Sequence, residues 1–263
     1  NAYIYDGGTR NYRKNGSTFD WAGTAGNSIQ HTSTENKTFT SPSARGGFNY
    51  NKDCQSFGAY YHYINSPITF DSQGSGEYHI ADVEDQNVGD HIHNEMKTER
   101  HTVATYYDNQ LSDERLIHFD GNYVHSWHHA DNLTSNAYAD HTVNVPSQTG
   151  MRSTLWAGKL YYQFPLLTGQ VNIGTEDSYT FNHQQYTILN SDISTYVPST
   201  MNESKQYAYA AFATFTRNFG KLTLNLGLRW ESIKFDYYQN KVKDHDVSRN
   251  QSSLSPDISL SWQ

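Results

Sequence analysis

Between Leu222 and Trp230 the chain alternates: Leu222, Leu224, Leu226, Leu228 and Trp230 share one face, and Thr223, Asn225, Gly227 and Arg229 the other. A period of two sustained over such a segment predicts a β-strand with one apolar face. Tyr207 to Thr216 reads the same way, and the five residues Arg217 to Lys221 between the two segments predict a hairpin with a tight turn. The pattern recurs upstream. Trp156, Gly158, Leu160, Tyr162 and Phe164 alternate with Ala157, Lys159, Tyr161 and Gln163; after a short link at Pro165 to Thr168, Val171, Ile173 and Thr175 resume it. Further back, HTVATYYD leads through Asn109 to Glu114 into a strand whose Ile117, Phe119, Gly121, Tyr123, His125 and Trp127 share a face. GGFNY and FGAYYHYI flank a turn around Asp53, and Asn15-Gly16 predicts a further hairpin of type I′.

Connections of a second kind lie between these hairpins: Thr24 to Ala44, Asn65 to Thr98, Ala130 to Arg152, Asn182 to Ser204 and Tyr238 to Ser253. They are polar and run to roughly 15 to 35 residues, where ordinary loops have about 4 to 6. Short turns alternating with long loops are the connection pattern of transmembrane β-barrels, short on the periplasmic side and long outside. A strand of about 10 residues, rising ~3.3 Å each and tilted ~40 to 45°, crosses the ~25 Å apolar band of an outer membrane. With the short turns periplasmic, Trp21, Trp127, Trp156 and Trp230 all come near the upper ends of strands, as an interfacial aromatic girdle requires.

Composition supports the pattern. Only 35% of the 263 residues are hydrophobic, yet 14% are aromatic and 21 are Tyr, so the apolar material is largely amphipathic rings. A disordered chain would be poor in these residues. A net charge of −8 argues against nucleic acid as a partner. No stretch reaches the roughly 18 apolar residues of a membrane helix, and the NAYIYDGG start is not a signal peptide. One cysteine, Cys54, excludes an intrachain disulfide and a Cys-based zinc site.

The segment from Trp156 to Trp262 resembles the C-terminal barrel region of the outer-membrane protein family related to TonB-dependent receptors. The likeness rests on WAGKLYYQFPLLTGQVNIGTEDSYT, on YAYAAFATFTRNFGKLTLNLGLRWE and on LSPDISLSW. Its most specific part is Asn218 to Glu231, where Gly227, Arg229 and Glu231 fit the family's recurrent strand and Trp230 stands where Tyr is usual. RGGFNY and SFGAYY extend the likeness toward the N-terminus with falling specificity.

The resemblance implies an energised outer-membrane receptor or transporter for a bulky nutrient. Its implied partners are outer-membrane lipid, a TonB-type energy-coupling protein reached through a missing N-terminal region, a surface lipoprotein of the kind some relatives use, and an extracellular ligand of unknown identity. Such transporters have about 22 strands; about eleven are counted here. The expectation is therefore an all-β antiparallel up-and-down meander over residues 1–263, a single domain forming part of a barrel with its plug absent and its first and last strands parallel.

Candidate chemistry is thin. His91 with His93 and His101, or His125 with His128 and His129, could be proposed as metal ligands, but His91 and His93 sit in a long loop beside Asp90 and Glu95, and His128 and His129 close a strand at its upper end where polar residues meet water, so hydrated surface is the better reading. Asp82, Glu84, Asp85 and Asp90 form an acidic loop cluster that reads as solvation. Gly74-Ser75-Gly76 lacks the spacing of a nucleophile elbow, and nothing selects a Ser/His/Asp set. Arg229 and Glu231, two apart on the polar face, are placed to pair with each other or with neighbouring strands. No catalytic residue, cofactor or metal site is expected. The rival to a transport barrel is a secreted carbohydrate-binding β-sandwich, with an outer-membrane hydrolase third; in a sandwich a second sheet would cover the leucine face of LTLNLGLRW.

Overall fold

The computed structural model describes residues 2–5, 9–22, 27–80 and 85–262, with side chains described for 9–14, 22, 27–80 and 85–262. Twelve strands form one antiparallel sheet: β1 (Ala2–Tyr5), β2 (Arg10–Ala22), β3 (Ser28–Phe39), β4 (Ser43–Lys52), β5 (Gln55–His79), β6 (Gln86–Ser112), β7 (Arg115–Ala137), β8 (Thr142–Leu166), β9 (Gly169–Ile188), β10 (Thr200–Phe219), β11 (Leu222–Gln239) and β12 (Val242–Trp262). One helical turn, α1 (Ser191–Ser194), is capped by the Asn190 side chain, which accepts from the Asp192 amide at 3.0 Å.

From β5 to β12 each strand pairs with the next. The first four strands share two places in the sheet. β4 pairs with the lower half of β5 and β3 with its upper half; β1 lies against β4, and β2 against β3. Twelve strands thus fill ten positions, and the count of about eleven falls between the two reckonings. The two edges run antiparallel, not parallel as expected, because the interrupted strands reduce the number of positions to an even one. Among the described residues no ladder joins β12 to β1 or β2.

Among the described residues there is no second layer. Val88, Ala130, Val171, Ile188 and Ala210 are the only buried hydrophobics among the described residues, and no large side chain is fully enclosed. Leu226, Leu228 and Trp230 are 38%, 48% and 45% exposed, so nothing covers the leucine face and the sandwich alternative is excluded. In register beside these residues come Phe215, Ala213 and Ala211 on β10, then Val171, Ile173 and Thr175 on β9, and Phe164, Tyr162 and Leu160 on β8. The apolar positions therefore form a continuous band on one side of the wall. The alternate positions, Asn225 among them, are polar: Asn225 accepts from Thr216 at 2.8 Å and donates to Ser259 at 3.2 Å.

Short turns lie where the pattern places them, at Asp53–Cys54, Asp113–Glu114, Leu167–Thr168 and Gly220–Lys221. Leu167 and Thr168 both have positive φ, 49° and 60°, the signature of a type I′ turn, and Gly220 supplies φ 65° without a Cβ penalty.

The long connections differ from expectation. Most of their residues are strand. β5 to β8 have 25, 27, 23 and 25 residues, about twice the membrane-crossing length, and pair far beyond it. Tyr238 to Ser253, expected as a loop, is the end of β11, a tight turn at Asn240 (φ 50°) and Lys241 (φ 69°), and the first half of β12. Asn15-Gly16, expected as a hairpin turn, lies within β2 where its register against β3 shifts between Lys14 and Ser17. In each case polar residues on both faces hide the strand, since a ladder above the membrane needs no apolar side.

The two faces of β11 should respond differently to charge. Leu226→Arg is expected to cost about 2 to 4 kcal/mol in lipid, and Asn225→Arg about 1 kcal/mol or less. Folding yields of the two variants of the whole protein in phospholipid vesicles check this, and equal yields would reverse the assignment of faces.

Candidate functional site

The polar face carries a charged ribbon across the middle of the sheet. Lys159 on β8, Glu176 on β9 and Arg229 with Glu231 on β11 all come from alternate positions of strands whose other positions are apolar. Register brings them together: Lys159 stands opposite Glu176, and Ala210 of β10 separates Glu176 from Glu231. Because Ala210 is small, the Arg229 guanidinium reaches across β10 to Glu176 at 2.7 Å while its Nε donates to Glu231 at 2.6 Å. Lys159 Nζ holds the other Glu176 oxygen at 2.7 Å. The sequence reading left open whether Arg229 pairs within its strand or across it; it does both.

The ribbon continues on β6 and β7. His118 meets Asp108 through Nδ1 at 2.6 Å and Asp120 through Nε2 at 2.7 Å, and Asp120 lies opposite Lys159. Beside Asp120 a cavity of about 890 Å³ opens along the polar face, lined by Arg45, Asn49, Tyr60 and Tyr106 among others. Arg45 stacks on the Tyr60 ring at 4.1 Å, and Tyr106 donates to Asn49 at 3.4 Å. A second cavity of about 400 Å³ lies over Lys159, Glu176, Arg229 and Glu231. The face offers carboxylates, the three cations Arg45, Lys159 and Arg229 and aromatic hydroxyls to an aqueous space, which is chemistry for guiding a polar solute.

The histidines do not converge. His91 and His93 lie in β6 rather than in a loop, and both face Asp71, at 3.8 and 2.6 Å; His93 also approaches Glu95 at 3.5 Å. His101 is further down the same strand, 2.6 Å from the Tyr61 hydroxyl. His125 contacts Thr154 at 2.9 Å, His128 contacts Thr98 at 2.9 Å, and His129 lies 3.1 Å from Asp131. Among the described residues no three His, Cys, Asp or Glu side chains are arranged to hold a metal ion. Asp85 and Asp90 pair with His79 and His31 and so form no cluster; Asp82 and Glu84 lie outside the described residues. Gly74 and Ser75 belong to β5, paired on both sides, not to a flexible loop. Cys54 is exposed in a turn.

On the apolar face, rings gather eight to twelve residues above the lower turns. Tyr123 and Trp156 approach to 4.3 Å between centroids, Tyr179 and Tyr207 to 4.8 Å, with Trp127 a little above and Trp230 across the sheet. Higher on this face come Arg152, the His183–Glu203 pair at 3.1 Å and the His129–Asp131 pair. The girdle expected from Trp127, Trp156 and Trp230 is thus the boundary between apolar and charged wall; the side chain of Trp21 lies outside what the structure describes.

A one-layer wall with an apolar band, an aromatic boundary and a charged opposite face fits the family comparison. The model of the outer membrane protein beta-barrel family matches residues 108–263. The chain belongs to that family. Its location is accordingly the bacterial outer membrane, its apolar face meets lipid and its charged face lines the lumen. No curated protein matches the sequence. Among solved structures the chain is similar to the outer membrane protease OmpT from Escherichia coli, at 10% identity over 98% of this chain and 91% of that one, with a TM-score of 0.31. It is similar to BauA, the ferric preacinetobactin receptor from Acinetobacter baumannii, at 8% identity over 96% and 44%, TM-score 0.43. It is also similar to the ferric citrate transporter FecA, at 12% identity over 98% and 41%, TM-score 0.42. The chain spans less than half the length of these two receptors. No helix among the described residues is long and apolar enough to cross a membrane.

Two expectations follow. Arg229→Met should destabilise the barrel by about 1 kcal/mol, because Glu176 keeps Lys159, and a double-mutant cycle with Glu231→Gln in whole-protein folding titrations should show coupling between the pair. Above the membrane, the Asp71 hydrogen bond raises the pKa of His93 from its ordinary value of 6.5, with a smaller contribution from Glu95. A raised folded-state pKa makes the contribution full below the unfolded value and lost as pH rises through the folded one. Protection of the amides at the top of β5 and β6, corrected for the intrinsic pH dependence of exchange, should therefore fall as pH rises past neutrality, and Asp71→Asn should remove that fall.

Proposed function

We propose that the chain is the barrel part of an outer-membrane receptor that takes up a bulky nutrient with energy from a TonB-type partner, and that it is not an enzyme. The observation that carries this reading is the charged ribbon from Asp108 and His118 through Lys159 and Glu176 to Arg229 and Glu231 on the lumen side of a lipid-embedded wall. Fixed charges of both signs let a polar solute exchange partners along the wall, and pairing keeps them from trapping it. The likeness of Asn218 to Glu231 to the recurrent receptor strand supports the energised class. In this reading residues 1–263 are one barrel unit, a plug and the energy-coupling segment belong to the rest of the protein, and a surface lipoprotein is a further candidate partner. The paired ladder above the membrane supplies the surface that first meets the ligand.

Growth of the source bacterium lacking the whole protein, in media each limited for one ferric chelate or one oligosaccharide, tests this. One nutrient should require the protein, and its uptake should stop when an uncoupler collapses the inner-membrane proton gradient. Uptake that survives the uncoupler overturns the energised mechanism, and growth equal to wild type on every medium overturns the receptor reading.

A further inference from the structure

Just above the aromatic boundary, on the face that meets lipid, two cations stand without an anion. Arg152 on β8 lies opposite Trp127 on β7 and His183 on β9, and it is exposed. No carboxylate or other acceptor among the described residues meets its guanidinium. Lys205 on β10 lies opposite Phe181, one pleat lower than Arg152 and His183. Its ammonium has rings for neighbours, 5.9 Å from the Phe181 centroid and 5.3 Å from that of Tyr238.

The carboxylates nearby are engaged elsewhere. Glu203 lies 3.1 Å from His183, and Asp131 lies 3.1 Å from His129. Asp236 stands opposite Lys205, but it is held by Lys243 at 2.5 Å and approached by Lys234 at 3.5 Å. The other basic groups of this stretch of wall thus have their counter-charges within the protein, and Arg152 and Lys205 do not. What they face is set by the orientation of the wall. The short turns mark the periplasmic end, so this boundary is the extracellular one and the lipid beside it belongs to the outer leaflet. In an outer membrane that leaflet is built from phosphorylated glycolipid. A guanidinium fork matches phosphate oxygens two at a time, and an ammonium adds a point charge. β8 and β10 are two strand spacings apart, roughly 10 Å, a span that a headgroup of linked sugars covers. Below the two cations come the Trp156, Tyr179 and Tyr207 rings and then the exposed Leu160 and Ile173, an apolar track toward the lower turns.

We propose that Arg152 and Lys205 hold one phosphorylated glycolipid of the outer leaflet, its sugar headgroup lying across β9 between the guanidinium and the ammonium and its acyl chains running down over the rings to Leu160 and Ile173. Charge complementarity and height on the wall select this occupant: the unpaired charges are positive, and they stand at the level of the extracellular headgroups. The site depends on the membrane placement of the wall and not on the uptake reading.

The whole protein in detergent micelles is mixed with lipid A, with lipid A stripped of its phosphates, or with phosphatidylglycerol, and native mass spectrometry counts the lipids retained on folded molecules. One lipid A should stay bound in preference to the other two. Arg152→Gln and Lys205→Gln should each lower its occupancy about tenfold, and the double variant should lose it. Both side chains lie on the surface of the wall, so the variants should keep the heat-modifiable gel migration of a folded barrel, which separates loss of the site from loss of the fold. Lys221→Gln, the same charge change in a lower turn, should leave retention as in wild type. Equal retention of lipid A with and without its phosphates overturns the proposal, as does retention by the double variant equal to wild type. Phosphatidylglycerol retained as well as lipid A overturns the choice of the outer-leaflet glycolipid, and zero-length crosslinking of Lys205 in cells to a carboxylate of another protein overturns the choice of a lipid.

Discussion

In hydrocarbon a backbone N–H or C=O without a partner costs several kcal/mol, and no water is present to supply one. The wall obeys this constraint by ladder pairing alone. Each interior strand from β5 to β11 is paired on both sides over most of its length, with no second sheet or long helix among the described residues behind it. The scarcity of buried side chains follows from the same cause, since a single layer has no interior to fill and its solvent is lipid on one side and water on the other.

Strand alternation then does two jobs at once. One set of positions supplies leucine, isoleucine and aromatic rings to the bilayer, and the other supplies charges to the lumen. The Arg229, Glu176 and Lys159 set shows how little separates them, because Glu176 and Asp177 are adjacent in the chain yet belong to opposite solvents. A shift of register by one residue would exchange every member of both sets, so lipid and water together hold the pairing in place.

Above the aromatic boundary that demand disappears, and the strands continue with polar residues on both faces. Pairing there is supported by side-chain contacts between neighbouring strands, such as His93 with Asp71, His31 with Asp90 and His183 with Glu203. Such half-buried pairs beside water contribute little individually. Among these pairs, the Asp71 hydrogen bond raises the pKa of His93, so that part of the outer ladder loses support as pH rises.

The sequence by itself determined the parts of this protein that repeat locally. The period of two in Leu222 to Trp230 and in Trp156 to Phe164 specified the strands, their lipid face and the short turns between them, and the tryptophans marked the upper boundary. These signals are legible because one face must be apolar and the next residue need not be. Tertiary structure alone decided three things. It showed that HIHNEMKTER and the stretch from Tyr238 to Ser253 are ladder, because strands polar on both sides have no hydrophobic period to read. It interrupted β1/β2 and β3/β4 so that ten positions hold twelve strands, a matter of which segments pair and not of what each prefers. And it brought Arg229 to Glu176 over Ala210, and His118 between Asp108 and Asp120, because contact across strands depends on register, which a single strand's sequence does not contain.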